Sequence, residues 1–178
     1  MLASVALRTP QLSIESEFQP FSEVGGDFLD YFLQSDGTAG LYLGDVTGKG
    51  FPAALAVGTL RGIHKTGTPP SAVLALMNKR MMLKSVSLRY AAMPYAHLDP
   101  ETGVMQISSA GMHGPLHLRG SGSDELSLCG IPPGLFSHSE YEMKQIQLAP
   151  GNSVVFLSDG REKMAQQDDR TAAVVRYL

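Results

Sequence analysis

Seven short apolar runs follow one another from residue 89 to the C-terminus, and that succession limits the fold more than any other feature. They are RYAAMPYAHL, GVMQISSA, GPLHLR, ELSLCG, YEMKQIQL, NSVVFLS and TAAVVRYL. The segments between them, DPETG, GSGSD, GIPPGLFS and APGN, are turn formers too short to hold helices. Upstream, residues 12–18 alternate as a strand should, and residues 26–34 read as a second strand rich in aromatics. SDGTAG supplies a hairpin turn through Asp36-Gly37, and residues 41–46 form a third strand. Only two segments carry helical spacing, residues 52–65 and 71–85. Pro52 suits the first turn of one, and Ser71 is the expected N-cap of the other. A doubly wound fold needs helices between most strands. The pattern therefore predicts an α+β fold: an antiparallel β-sandwich with a helix pair whose apolar residues, Leu55, Leu60, Ile63, Leu74 and Met77, pack on it.

A chain of 178 residues fits one domain with a sizeable core, here residues 12–178, preceded by a linker or tail over residues 1–11. The net charge of −3, with no basic run, leaves no electrostatic footprint for nucleic acid. No run approaches the ~18 apolar residues of a membrane span, and MLASVALRTP has no signal-peptide pattern, so a cytoplasmic location without membrane insertion is expected. The single Cys129 excludes an internal disulfide or a zinc-type cysteine cluster and reads as a small hydrophobe or bystander.

The chemistry concentrates where carboxylates meet strand ends. Asp45 closes the apolar run Leu41-Tyr42-Leu43 inside GLYLGDVTGKG. A phosphate-binding P-loop does not fit there. Gly44 and Gly48 are one residue too close, and Gly50 occupies the place of the magnesium-binding hydroxyl after Lys49. Asp27 follows two glycines at a strand start, Asp159 ends VVFLSD before Gly160, and Asp168 and Asp169 precede the last strand. Four carboxylate stations at strand edges, three beside glycine, suit a hard divalent cation, which takes oxygen ligands. Asp36-Gly37 is read as a turn alone. Histidines 64, 97, 117 and 138 lack metal-ligand spacing.

FQPFSEVGGDFLDYF, LYLGDVTGKGFPAAL, DPETGVMQISSAG, LAPGNSVVFLSDG and DDRTAAVVR together resemble the SpoIIE/RsbU-type serine/threonine phosphatases, a bacterial branch of the metal-dependent PPM phosphatases. The resemblance implies a central β-sandwich flanked by helices, with a binuclear Mn²⁺ or Mg²⁺ site at one edge. It casts Asp45 as the bridge between the ions and the Val46 carbonyl as a further ligand. Asp27, Asp159 and Asp168 complete the metal set, with Asp169 as the other candidate for the last place. Asp27, Asp45 and Asp159 carry catalysis, and Lys49 is either solvated or near the phosphate. A phosphorylated protein is the implied substrate, of the STAS-type anti-anti-sigma class in partner switching. A regulatory domain or partner is expected to act on the N-terminal linker and the helix pair.

Two departures from the family pattern stand out. Met112 occupies the place of a usual His, with His113 one position on. Only seven residues, REKMAQQ, join Gly160 to Asp168, so the C-terminal helical region is shortened. These departures keep an alternative open, a weak or inactive phosphatase-like module that binds the same kind of partner.

Overall fold

The computed structural model describes residues 5–19, 26–47, 58, 67–83, 90–120, 122–158 and 169–178. The strands are β1 (Leu7–Arg8), β2 (Leu12–Gln19), β3 (Asp27–Leu33), β4 (Ala39–Val46), β5 (Ala91–Leu98), β6 (Val104–Ala110), β7 (Leu116–Arg119), β8 (Gly122–Glu125), β9 (Lys144–Gln147), β10 (Ser153–Leu157) and β11 (Arg170–Tyr177). Helix α1 spans Pro70–Leu83. One sheet runs β1-β2-β11-β10-β7-β8 and the other β3-β4-β5-β6-β9, and every pairing in both is antiparallel. This is the expected sandwich.

Strand alternation builds two cores from one sheet. On one face of the five-stranded sheet, Leu29, Leu41, Leu43, Met105 and Ile107 meet Leu12, Ile14, Val154, Phe156 and Val175 of the six-stranded sheet. On the other face, Phe28, Tyr42, Met93 and Tyr95 pack against Val73, Leu74 and Met77 of α1. Each of those three helix side chains contributes roughly 1.5–3 kcal/mol when fully buried. Leu74 and Met77 thus pack as the sequence predicts. Apart from Gly58, which is helical, the first expected helix lies outside the described residues.

Glycine shapes β4 at two places. Gly44 faces Phe28 and Gly40 faces Phe32 across the β3–β4 ladder. A Cβ at either position would enter the opposing ring, at 2.6 Å from Phe28 and 2.5 Å from Phe32. The rings fill the space that the glycines leave open.

Several local expectations change. Ser71 is not the N-cap. Val73 N–H donates to Pro69 C=O at 3.1 Å, so the helix begins a residue earlier with Pro70 in its first turn, where a missing N–H costs nothing. Of ELSLCG only Glu125 lies in a strand. It ends β8, which is otherwise made of GSGSD from Gly122 onward, because β7 turns back at once and Arg119 pairs with Gly122. Leu128 is still buried, and Leu126 N–H donates to Pro115 C=O at 2.9 Å, so the rest of the run fills the core without joining a ladder. The segment expected to be a tail supplies β1, and Val5 C=O accepts the Tyr31 hydroxyl at 2.9 Å.

Candidate active site

The β3–β4 hairpin sets the site. Its turn, residues 34–38, lies at one end, and its open end carries the acids. Asp27 and Asp45 are direct register partners there, on the face that meets the second sheet. Like charges directly opposed across a ladder are destabilising. A sequence places two there at a cost in stability unless something cationic or protic offsets it.

Gly26 extends the ladder by one step. Val46 N–H donates to its carbonyl at 3.2 Å. A Cβ on Gly26 would stand 2.9 Å from the Val46 carbonyl oxygen and would collide with Asp45 Oδ1. The absent side chain therefore leaves a recess that the Asp45 carboxylate enters, with the Val46 carbonyl oxygen near by.

The six-stranded sheet closes the other side. Thr171 Oγ1 on β11 donates to Asp27 Oδ2 at 2.5 Å, joining the two sheets. Asp27 is 5% exposed and Thr171 1%. Asp169, just before β11, is 2% exposed and shares the strand parity of Thr171. Ser158 and Thr171 hold each other twice. Ser158 N–H donates to Thr171 C=O, and Thr171 N–H donates to Ser158 Oγ, both at 2.9 Å.

Of the sequence-derived residues, Asp27, Asp45 and Val46 come together at this edge. Asp159, Asp168 and Lys49 lie outside the described residues. Among the described residues no group of three or more Asp, Glu, His or Cys side chains forms a complete metal set. The donors present, carboxylates and a carbonyl around a recess, are those a hard divalent cation takes. Sequence reasoning gave Thr171 and Ser158 no role. The quoted DDRT run holds Thr171, but its partner Asp27 is 144 positions away.

Met112 is 8% exposed and belongs to the inter-sheet core, and its carbonyl accepts Ser109 Oγ at 3.1 Å. His113 lies on the surface, 3.7 Å from Glu125. Cys129 is exposed. A groove of about 310 Å³ at the far end of the five-stranded sheet contains Asp36, His97 and Asp99. Its polar groups are engaged locally. Thr38 holds the Asp36 carboxyl below its ordinary range, Thr102 does the same for Asp99, and His97 contacts Gln34 and Tyr95. Asp36-Gly37 is thus the turn the sequence predicts.

The family model described as Stage II sporulation protein E (SpoIIE) matches residues 35–177. The phosphoserine phosphatase RsbU of Bacillus subtilis is 24% identical over 147 residues, covering 79% of this chain and 44% of RsbU. The chain thus spans less than half the length of that relative. The structure of the PP2C phosphatase domain of SpoIIE from Bacillus subtilis, with a fragment of its regulatory domain, superposes with a TM-score of 0.81 at 16% identity, covering 96% of this chain and 64% of that one. RsbX in complex with magnesium superposes with a TM-score of 0.77 at 14% identity, covering 98% and 99%. At these identities the superpositions establish the fold.

Proposed function

The chain belongs to the SpoIIE family, and on that premise we propose that it is a metal-dependent phosphatase acting on phosphoserine or phosphothreonine in proteins. The observation that carries this reading is the Gly26 recess, which the Asp45 carboxylate enters with the Val46 carbonyl near by, beside the opposed Asp27. Two carboxylates and a carbonyl fit Mn²⁺ or Mg²⁺, and RsbX, of the same fold, was solved with magnesium. Asp45 would be shared between two ions, with the Val46 carbonyl, Asp27, Asp159 and Asp168 as the further residues that would hold them. Asp169 is the alternative to Asp168.

The ions would supply Lewis acidity, a nucleophilic water at neutral pH and countercharge for the transferring phosphoryl group. The chain's own residues do the rest. Asp45 and Asp27 place two carboxylates across one ladder step, so ions would be held where the strands hold those side chains. The Thr171 hydroxyl keeps Asp27 from rotating. Gly26 leaves room for the Asp45 carboxylate. No covalent intermediate on the chain is needed, in keeping with an exposed Cys129 far in sequence from the acids.

The expected substrate is a phosphorylated protein of the STAS-type anti-anti-sigma class, on the strength of family membership and of the likeness to RsbU. The N-terminal segment and the helix pair are the expected place for a regulatory domain or partner to act. No helix among the described residues is long and apolar enough to cross a membrane, and a cytoplasmic location is part of this reading.

Hydrolysis of p-nitrophenyl phosphate with Mn²⁺, and its loss in EDTA, tests the activity. Undiminished hydrolysis in EDTA would remove the metal mechanism. The second reading, a binding module without turnover, is favoured by one observation: Met112 stands where a His is usual, and it is packed in the core. Mn²⁺ binding without hydrolysis would support it.

A further inference from the structure

We infer that Thr171 is the positioning residue of the acidic edge, holding Asp27 in its ligating orientation and tying together three of the four chain segments that carry the carboxylates. This rests on the metal-dependent reading above. The Thr171 side chain donates to Asp27 Oδ2 at 2.5 Å across the gap between the sheets. Its amide and carbonyl take both bonds to Ser158, the residue immediately before Asp159. Two residues upstream on its own segment stands Asp169, buried on the same parity. One threonine therefore meets the strands leading to Asp27, Asp159 and the Asp168-Asp169 pair.

Burial makes this arrangement stiff. Asp27, Ser158 and Thr171 are each at most 5% exposed, so water does not compete for these bonds. A donor beside a ligating carboxylate fixes its orientation, and loss of such a partner commonly weakens metal affinity by about 10–100-fold. The β-branched side chain also has its χ1 restricted by the strand, which aims the hydroxyl without a large entropic cost. Valine keeps that branched shape and strand preference but has no donor. Serine keeps the donor and loses the methyl group.

The comparison of Thr171→Val with Thr171→Ser follows from that difference. Mn²⁺ binding is measured by titration calorimetry on wild type and both variants, with thermal unfolding in EDTA recorded in parallel. The expected result is a dissociation constant about 10–100-fold higher for Thr171→Val. Thr171→Ser should return to within about threefold of wild type if a single hydroxyl carries the effect. A role in packing alone would instead make Thr171→Ser the weaker variant, because it loses the methyl group. Wild-type affinity in Thr171→Val, or affinity in Thr171→Ser as poor as in Thr171→Val, overturns the inference while the metal reading stands. Failure of wild type itself to bind Mn²⁺ overturns both. Should Thr171→Val fail to fold in EDTA, the serine variant alone decides: near-native affinity supports the role, and loss of affinity refutes it.

Discussion

Gly26 and Asp45 share one volume: a side chain on the glycine would occupy the space where the aspartate's Oδ1 lies. The close approach follows from the ladder, in which the Gly26 carbonyl accepts the Val46 N–H one step beyond the Asp27–Asp45 pair. Gly26→Ala should therefore displace Asp45 or the Val46 carbonyl. The expected outcome is a loss of Mn²⁺ affinity of at least about tenfold, and a stability loss of about 1–3 kcal/mol from overpacking. Calorimetric titration and urea unfolding read the two effects separately. An alanine variant that binds Mn²⁺ as wild type does would show that the Gly26 contact does not set the ligating position of Asp45.

Asp45→Asn separates stability from activity. Removing one of two opposed charges relieves cross-strand repulsion, worth about 0.2–1 kcal/mol in an ordinary pair. The metal-free variant is expected to melt at or slightly above the wild-type temperature. Turnover with Mn²⁺ should fall by about a thousandfold or more if Asp45 bridges both ions, since the nucleophile and the countercharge go together. Differential scanning calorimetry in EDTA and p-nitrophenyl phosphate kinetics give the two numbers. Near-normal turnover would assign the bridge elsewhere.

The sandwich was legible because its strands alternate. In β2, Leu12 and Ile14 enter the inter-sheet core while Glu15 and Glu17 turn out, an alternation visible in LSIESEF itself. The placement of Asp27 and Asp45 at strand ends was legible for a related reason: each stands beside glycine where an apolar run begins or stops. Three things were not. Leu126 and Leu128 look like strand residues in ELSLCG, but they fill the core from an irregular segment, and apolar spacing does not distinguish the two. The tight β7–β8 return depends on pairing between Arg119 and Gly122 that a polar glycine-serine run conceals. The Thr171–Asp27 bond joins two sheets across 144 positions, and no local pattern encodes it.

The β5–β6 turn makes a pH prediction away from the site. Asp99 accepts the Thr102 hydroxyl at 2.7 Å and the Glu101 N–H at 2.9 Å, and the Thr102 bond chiefly holds its carboxyl below the ordinary 3.8. A carboxylate whose folded-state pKa is depressed stabilises the fold above the unfolded value, and that contribution fades as pH falls through the lower folded value. Thr102→Val should therefore lower the melting temperature slightly at pH 6–8, and its gap from wild type should narrow below about pH 4. The carboxyl is accessible to solvent, so the whole effect is small. Melting curves of both proteins across pH 2.5–8 check the sign. A gap that widens in acid would contradict it.

Asn78 gives the clearest prediction for the helix layer. It is 3% exposed on α1, and both ends of its amide are used: Oδ1 accepts the Gly134 N–H at 2.8 Å, and Nδ2 donates to the Phe136 carbonyl at 3.0 Å. The same loop offers the Pro133 carbonyl to the Ala91 N–H at 3.0 Å, and Ala91 pairs with Val46 on β4. The amide thus fastens α1 to the segment that crosses the acid-bearing end of the sheet. Asn78→Ala removes two part-buried hydrogen bonds whose backbone partners, at Gly134 and at the exposed Phe136, can turn to water, so it should cost about 1–3 kcal/mol. Leucine would fill the volume without restoring either bond, and Asn78→Leu should recover little of the loss. Urea unfolding gives the magnitude, and hydrogen exchange should show the Gly134 amide losing protection in both variants. A loss under about 0.5 kcal/mol in Asn78→Ala would mean that water replaces the amide at little cost. Mn²⁺ affinity should stay near wild type in both variants, because the Val46–Ala91 ladder still holds the carbonyl beside the recess.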